Sequence, residues 1–135
     1  MDEAKRKEVR QWLVKSQRDL GSARRLMEGD EPYLDVAVYH CQQAAEKAIK
    51  AYLTYRDIIF EKTHNLVALL AFCIPSDPTF EQWKEAAKML TPYATEFRYP
   101  GDVLEPERYE AEQALAQAEA MVNFIILRLP EEVRP

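Results

Sequence analysis

The sequence predicts an all-α protein, an up-and-down bundle of four long helices and one short helix, on three observations. Prolines, which lack the amide donor a helix interior needs, are absent from 1–31, 33–74 and 107–129. Within those windows apolar residues recur at alternating spacings of three and four, the signature of one buried helix face. No stretch alternates polar and apolar with period two for long enough to argue a strand.

The first helix carries Val9, Leu13, Ser16, Leu20, Ala23 and Met27 on one face. Gly21 costs it roughly 1 kcal/mol relative to alanine without breaking it. Glu28-Gly29-Asp30-Glu31-Pro32 then reads as a chain reversal, with Gly29 for the helix C-terminus and Pro32 where a new element begins. The second helix, Tyr33 to Tyr55, places Cys41, Ala44, Ala45, Ala48, Tyr52 and Leu53 on one side and Gln42, Glu46 and Lys50 on the other. Its alanines let a neighbouring helix approach closely.

A short helix from Asn65 to Cys73 is stopped by Pro75-Ser76-Asp77-Pro78, after which Thr79 is the expected cap. The fourth segment, Phe80 to Phe97, holds Trp83, Ala87, Leu90 and Ala94, with Pro92 expected to kink or split it. The last helix, Glu107 to Leu129, has a seam of Leu115, Ala118, Val122, Ile125 and Leu129 with Met121 and Ile126 beside it.

With 135 residues, 3 glycines and 47% hydrophobic content, the chain reads as one domain, 1–135, that buries roughly two-thirds of its unfolded surface. The uncharged run 63–76 is too short to span a bilayer, and the charged N-terminus lacks the apolar core of a secretion signal. The expected location is therefore cytoplasmic, with no membrane partner. Cys41 and Cys73 fall in helical segments and read as two reduced core thiols.

A formal charge of -5 argues against a generic phosphate-backbone binder. The charge is unevenly placed: residues 1–28 carry eight basic and five acidic side chains, residues 101–135 three basic and eight acidic. The two ends are expected to pack against one another, a basic nucleic-acid surface on the first helix being the minority reading. Trp12, Tyr52, Tyr55 and Phe124 offer more aromatic area than a small core requires, which favours a homodimer.

Much chemistry is excluded. Three isolated glycines cannot build a phosphate cradle, and zinc spacings are absent. Glu61-Lys62-Thr63-His64 spells Glu-x-x-His once, whereas a di-iron bundle needs it twice, so no metal and no cofactor are expected. His40 and Cys41 are adjacent and point about 100° apart on a helix, so no nucleophile and base pair is set up by local spacing. What stands out is a stripe of His40, Gln43, Lys47 and Lys50 along one helix face, then Lys62 and His64, and Arg98-Tyr99-Pro100-Gly101-Asp102 before a turn. Imidazole, amide, ammonium, guanidinium and an aromatic face are the groups that hold a nucleotide or an RNA phosphate. The same residues also read as a solvated stripe with a tyrosine packed on the bundle.

The run Ala37-Val38-Tyr39-His40-Cys41-Gln42-Gln43-Ala44-Ala45-Glu46-Lys47-Ala48-Ile49-Lys50-Ala51-Tyr52-Leu53, with Lys62-Thr63-His64-Asn65-Leu66 and Arg98-Tyr99-Pro100, resembles the prokaryotic HEPN domain family. The likeness extends to Trp12-Leu13 and Asp19-Leu20-x-x-Ala23 and covers residues 8–127. It implies a helical bundle that dimerises, works beside a small nucleotidyltransferase as a toxin–antitoxin-like pair, and in many members cleaves RNA without metal. Those nucleases carry Arg, four to six residues, then His. This chain departs from that pattern: its two histidines are His40 and His64, seven residues separate Arg56 from His64, and the last helix has Arg108 but no histidine. An acid–base ribonuclease needs a group titrating near neutrality at the scissile phosphate, which histidine usually supplies.

The leading expectation is thus a dimeric, non-catalytic or weakly catalytic module that binds a nucleotidyltransferase and a nucleotide through His40, Gln43, Lys47, His64, Arg98 and Tyr99. The alternatives are a ribonuclease toxin using His64 or His40 with Arg56 or Arg98, and a ligand-free oligomeric scaffold.

Overall fold

The computed structural model describes residues 1–101 and 105–135. Five α-helices follow in order: α1 Glu3–Leu26, α2 Leu34–Tyr55, α3 Leu66–Cys73, α4 Lys84–Leu90 and α5 Arg108–Ile126. Short 3-10 turns occupy Pro78–Trp83, Thr91–Ala94 and Glu131–Val133, and there is no strand among the described residues.

α1 starts at Asp2, whose carboxylate accepts from the Lys5 amide at 2.8 Å. It ends at Met27, and Gly29 at φ +85° reverses the chain in the left-handed region that glycine adopts without strain. α2 returns alongside it. Ala37, Ala44, Ala45 and Ala48 are fully buried there, and the close approach lets the Ser16 hydroxyl donate across to the Ala44 carbonyl at 2.7 Å. α2 ends in a left-handed residue, Asp57 at φ +57°, with the Ile58 amide bonded to the Leu53 carbonyl.

Asn65 caps α3 by accepting from the Val67 and Ala68 amides. The cap of the following turn is Asp77, which accepts from the Thr79 amide, so Thr79 is the capped residue rather than the cap. The fourth segment divides as Pro92 requires: α4 is seven residues, continued only by a 3-10 turn.

α1 and the C-terminal segment do pair their opposite charges. Arg6 reaches Glu132 at 3.5 Å, Arg24 reaches Glu119 at 3.4 Å, and Arg10 donates to the Arg134 carbonyl. The aromatic rings named above as surplus pack on this chain's own core, Tyr52 fully and Trp12, Tyr55 and Phe124 in part. Tyr52 is buried against Phe80 with centroids 4.5 Å apart, Phe124 packs on Phe80 and Trp83, and Trp12 and Tyr55 lie half-buried on the core. Both thiols are free and fully buried. Among the described residues no helix is long and apolar enough to cross a membrane.

Candidate functional site

α2 is the central helix, in contact with α1, α3, α4 and α5. That position buries most of its circumference, including Gln42 and Glu46, the side read from the sequence as polar and outward. A buried carboxylate requires partners, and two such carboxylates organise the polar side chains.

The first is Asp19 of α1, which accepts from His40 Nδ1 at 2.8 Å and from Lys47 Nζ at 2.7 Å. His40 and Lys47 are seven residues apart, two turns of α2, so one carboxylate from α1 spans the stripe between them. Nδ1 is committed to Asp19, which leaves Nε2 as the free ring nitrogen. The second is Glu46, which receives His64 Nδ1 at 2.7 Å, Lys50 Nζ at 2.9 Å and Gln42 Nε2 at 3.2 Å. Burial works to raise the Glu46 pKa, but the hydrogen bonds from His64, Lys50 and Gln42 outweigh it and hold the carboxyl below its ordinary value.

Gln42 also donates to the His64 carbonyl at 2.8 Å, and Gln43 donates to the Gln42 side-chain oxygen at 2.8 Å. The loop carrying His64 is thereby tied to α2, while its imidazole remains two-thirds exposed. Lys50 lies over the rings of Trp12 and Phe60.

The predicted set divides. His40 and Arg98 meet in one cleft of about 230 Å³, lined by Asp35, Val36, Tyr39, His40, Phe97 and Arg98. Lys47 is engaged by Asp19, Gln43 is buried against Gln42, and His64 belongs to the Glu46 cluster. Tyr99 is exposed on the surface. Arg56, named for the nuclease alternative, lines a different depression with Lys5, Tyr55, Asp57 and Glu132. Asp102, last residue of the Arg98 turn, lies outside the described residues.

Backbone geometry delivers Arg98 to this cleft. Phe97 sits at φ +67°, a region costly for a bulky residue, and buries its ring in a stack on Tyr93. The reversal turns the next side chain over Tyr39, with the guanidinium carbon 4.0 Å from the ring centroid and Nη1 bonded to the Ala94 carbonyl. Tyr39 in turn meets His40 edge-on at 5.4 Å. The result is a relay of contacts, Arg98 on Tyr39, Tyr39 on His40 and His40 on Asp19.

Chemically, the cleft offers a fixed cation for a phosphate oxygen, a neutral or protonated imidazole nitrogen, and the Asp35 carboxylate as an acceptor for hydroxyls. At about 230 Å³ it is smaller than the roughly 300–1,000 Å³ of pockets that enclose a ligand. It fits a phosphate with part of a sugar. Among the described residues no group of His, Cys, Asp and Glu side chains is placed to hold a metal ion.

The chain is similar to known proteins over nearly its whole length. A family profile described as "HEPN domain" matches residues 9–129. Among solved structures, TT1696 from Thermus thermophilus superposes with a TM-score of 0.76 at 32% identity, covering 90% of this chain and 98% of that one. ST0689, described as an archaeal HEPN homologue, superposes with a TM-score of 0.70 at 26% identity, covering 90% and 97% respectively. No curated protein matches significantly.

Proposed function

Because the chain belongs to the HEPN domain family, we propose that it acts as a dimeric, non-catalytic or weakly catalytic module. It pairs with a nucleotidyltransferase in a toxin–antitoxin-like system and holds the phosphate of a nucleotide between Arg98 and His40. The observation that carries this reading is the convergence of those two side chains, 58 positions apart in the sequence, on one small cleft. Arg98 supplies a forked donor, and the Asp19 carboxylate fixes which nitrogen of His40 is presented. A cleft too small to enclose a whole nucleotide suits a shared site, with the remainder of the ligand covered by the partner protein.

Titration calorimetry with ATP and AMP, with and without a co-purified nucleotidyltransferase, tests it. The Arg98→Ala, His40→Ala double variant should lose at least about tenfold in affinity, about 1.4 kcal/mol, while keeping its circular dichroism. Unchanged affinity for nucleotide and for the partner overturns the reading.

A second reading, a metal-independent ribonuclease, gains one specific point. A carboxylate-oriented imidazole beside a guanidinium is a general acid–base arrangement. It differs from the family's Arg-x4-6-His in using residues from α2 and from the turn after Thr91–Ala94. Cleavage of tRNA in the presence of chelator that is abolished by His40→Ala but not by His64→Ala would favour it over the binding module.

A further inference from the structure

The cleft that brings Arg98 to His40 also holds an acid. Asp35 lies in the first turn of α2, half-buried, and lines the same cavity of about 230 Å³. It stands one turn before Tyr39 on one side of the helix, about 6 Å along the axis, and the guanidinium of Arg98 is seated on that ring. Opposite charges so placed could close on one another. Among the described residues no ion pair joins them: Nη1 of Arg98 is turned to the Ala94 carbonyl, and the neighbouring ion pairs run from Asp19 to His40 and Lys47.

A carboxylate near a helix N-terminus is favoured by the helix dipole, which accounts for an acid in this turn. It does not account for an acid that faces a cavity whose other polar groups serve an anion, because like-charge repulsion there weakens anion binding. The arrangement suits a ligand that carries an anionic group at one end and neutral donors at the other. An ionised carboxylate only accepts, and its two oxygens can receive two hydroxyls at once. Vicinal hydroxyls of a sugar ring are such a pair, and hydrogen bonds to a charged acceptor are the stronger kind. Beside the acid and the cation, Val36 and the Phe97 ring complete the lining with apolar surface, on which the C–H face of a furanose packs. One sugar ring bridges the distance of a helical turn, and a cavity of this size leaves a base outside it.

We propose that Asp35 is the specificity-determining residue of this cleft and that the unit recognised is a phosphorylated ribose, with its phosphate on Arg98 and His40 and its vicinal hydroxyls on Asp35. This rests on the nucleotide-binding reading above and adds to it the part of the ligand that is read. A 2′-deoxy sugar leaves the carboxylate short of a donor, and a site built to bond a hydroxyl discriminates against the analogue that lacks it. The base contributes little, so a free sugar phosphate and a nucleotide present the same recognised unit.

Titration calorimetry of the full chain, alone and with a co-purified nucleotidyltransferase, compares AMP, 2′-deoxy-AMP and ribose 5-phosphate. AMP should bind about tenfold more tightly than its 2′-deoxy analogue, and ribose 5-phosphate should come within about tenfold of AMP. Asp35→Asn, of the same shape without the charge, should keep its helicity and reduce the preference for ribose over deoxyribose to about twofold or less. Arg98→Ala should weaken all three ligands alike and keep the preference, which separates the reading of the sugar from the hold on the phosphate. The comparison of ligands on the wild type does not depend on any variant's folding. AMP and 2′-deoxy-AMP that bind equally, or an Asp35→Asn variant that retains the full preference, overturns the role of Asp35 and leaves the nucleotide reading in place. Ribose 5-phosphate that fails to bind where AMP binds assigns recognition to the base and overturns the sugar phosphate as the unit. Absence of binding for all three ligands removes both readings.

Discussion

Asp19 and His40 face each other across the α1–α2 pair with Oδ1 and Nδ1 2.8 Å apart, and the other carboxylate oxygen of Asp19 is taken by Lys47 at 2.7 Å. A single carboxylate, on a side chain only 10% exposed, thus neutralises and orients the polar stripe of α2 from the neighbouring helix.

Removing that carboxylate should cost more than removing either partner. Asp19→Ala leaves a lysine and a histidine facing a buried vacancy and is expected to lower unfolding free energy by about 2–3 kcal/mol. Lys47→Ala leaves Asp19 its bond to His40 and should cost about 1 kcal/mol. Urea denaturation of the two single variants and the double variant checks the order. The coupling between positions 19 and 47 should be about 1 kcal/mol.

The Glu46 cluster predicts an acid limb in stability. Its carboxyl titrates lower in the folded chain than in the unfolded one, because His64, Lys50 and Gln42 donate to the charged form. The stabilisation is therefore fully present above the unfolded value of about 4.3 and is lost as pH falls through the lower folded value. Melting temperature should be level above about pH 5 and drop below about pH 4. Glu46→Gln strands Lys50, whose side chain is only 12% exposed, and should cost about 3 kcal/mol at pH 7 while flattening the acid limb. An acid limb of unchanged depth in that variant would assign it to other carboxylates.

Most of the helices were legible in the sequence because strong local signals bound them: Gly29, Asn65 and the prolines. The network was not. Asp19 lies three residues beyond Ser16 on the stripe otherwise formed by Leu13, Leu20 and Ala23, and that position was the available sign that it points inward. Glu46 and Gln42 looked solvent-facing because a two-sided pattern assumes one buried face, whereas α2 is covered on several sides. The meeting of Arg98 with Tyr39 depends on a left-handed phenylalanine, which no propensity favours.

Both thiols should be silent in the native protein. Burial, aided by Glu119 near Cys41 and by Asp77 near Cys73, pushes each thiol pKa up to about 12. At pH 8 a disulfide reagent should modify neither within the time that labels the urea-unfolded chain completely. Fast labelling of one thiol would report local opening of the helix carrying it.

The guanidinium of Arg98 owes its position to the Tyr39 ring as well as to the Ala94 carbonyl, so Tyr39→Leu tests positioning apart from charge. Tyr39 is half-buried, and leucine retains most of its apolar contact, so stability should fall by no more than about 1 kcal/mol. What disappears is the aromatic face that holds the guanidinium over the cleft, an attraction of about 0.5–1 kcal/mol at a partly exposed site. Nucleotide affinity measured by calorimetry should weaken about two- to fivefold, less than the tenfold expected for the double variant that lacks Arg98 and His40. Arg98→Lys keeps the charge but loses the planar fork that both stacks on the ring and grips phosphate, and should fall between these two. If Tyr39→Leu binds as wild type does while Arg98→Ala does not, the ring has no part in aiming the cation, and the carbonyl of Ala94 alone sets its place.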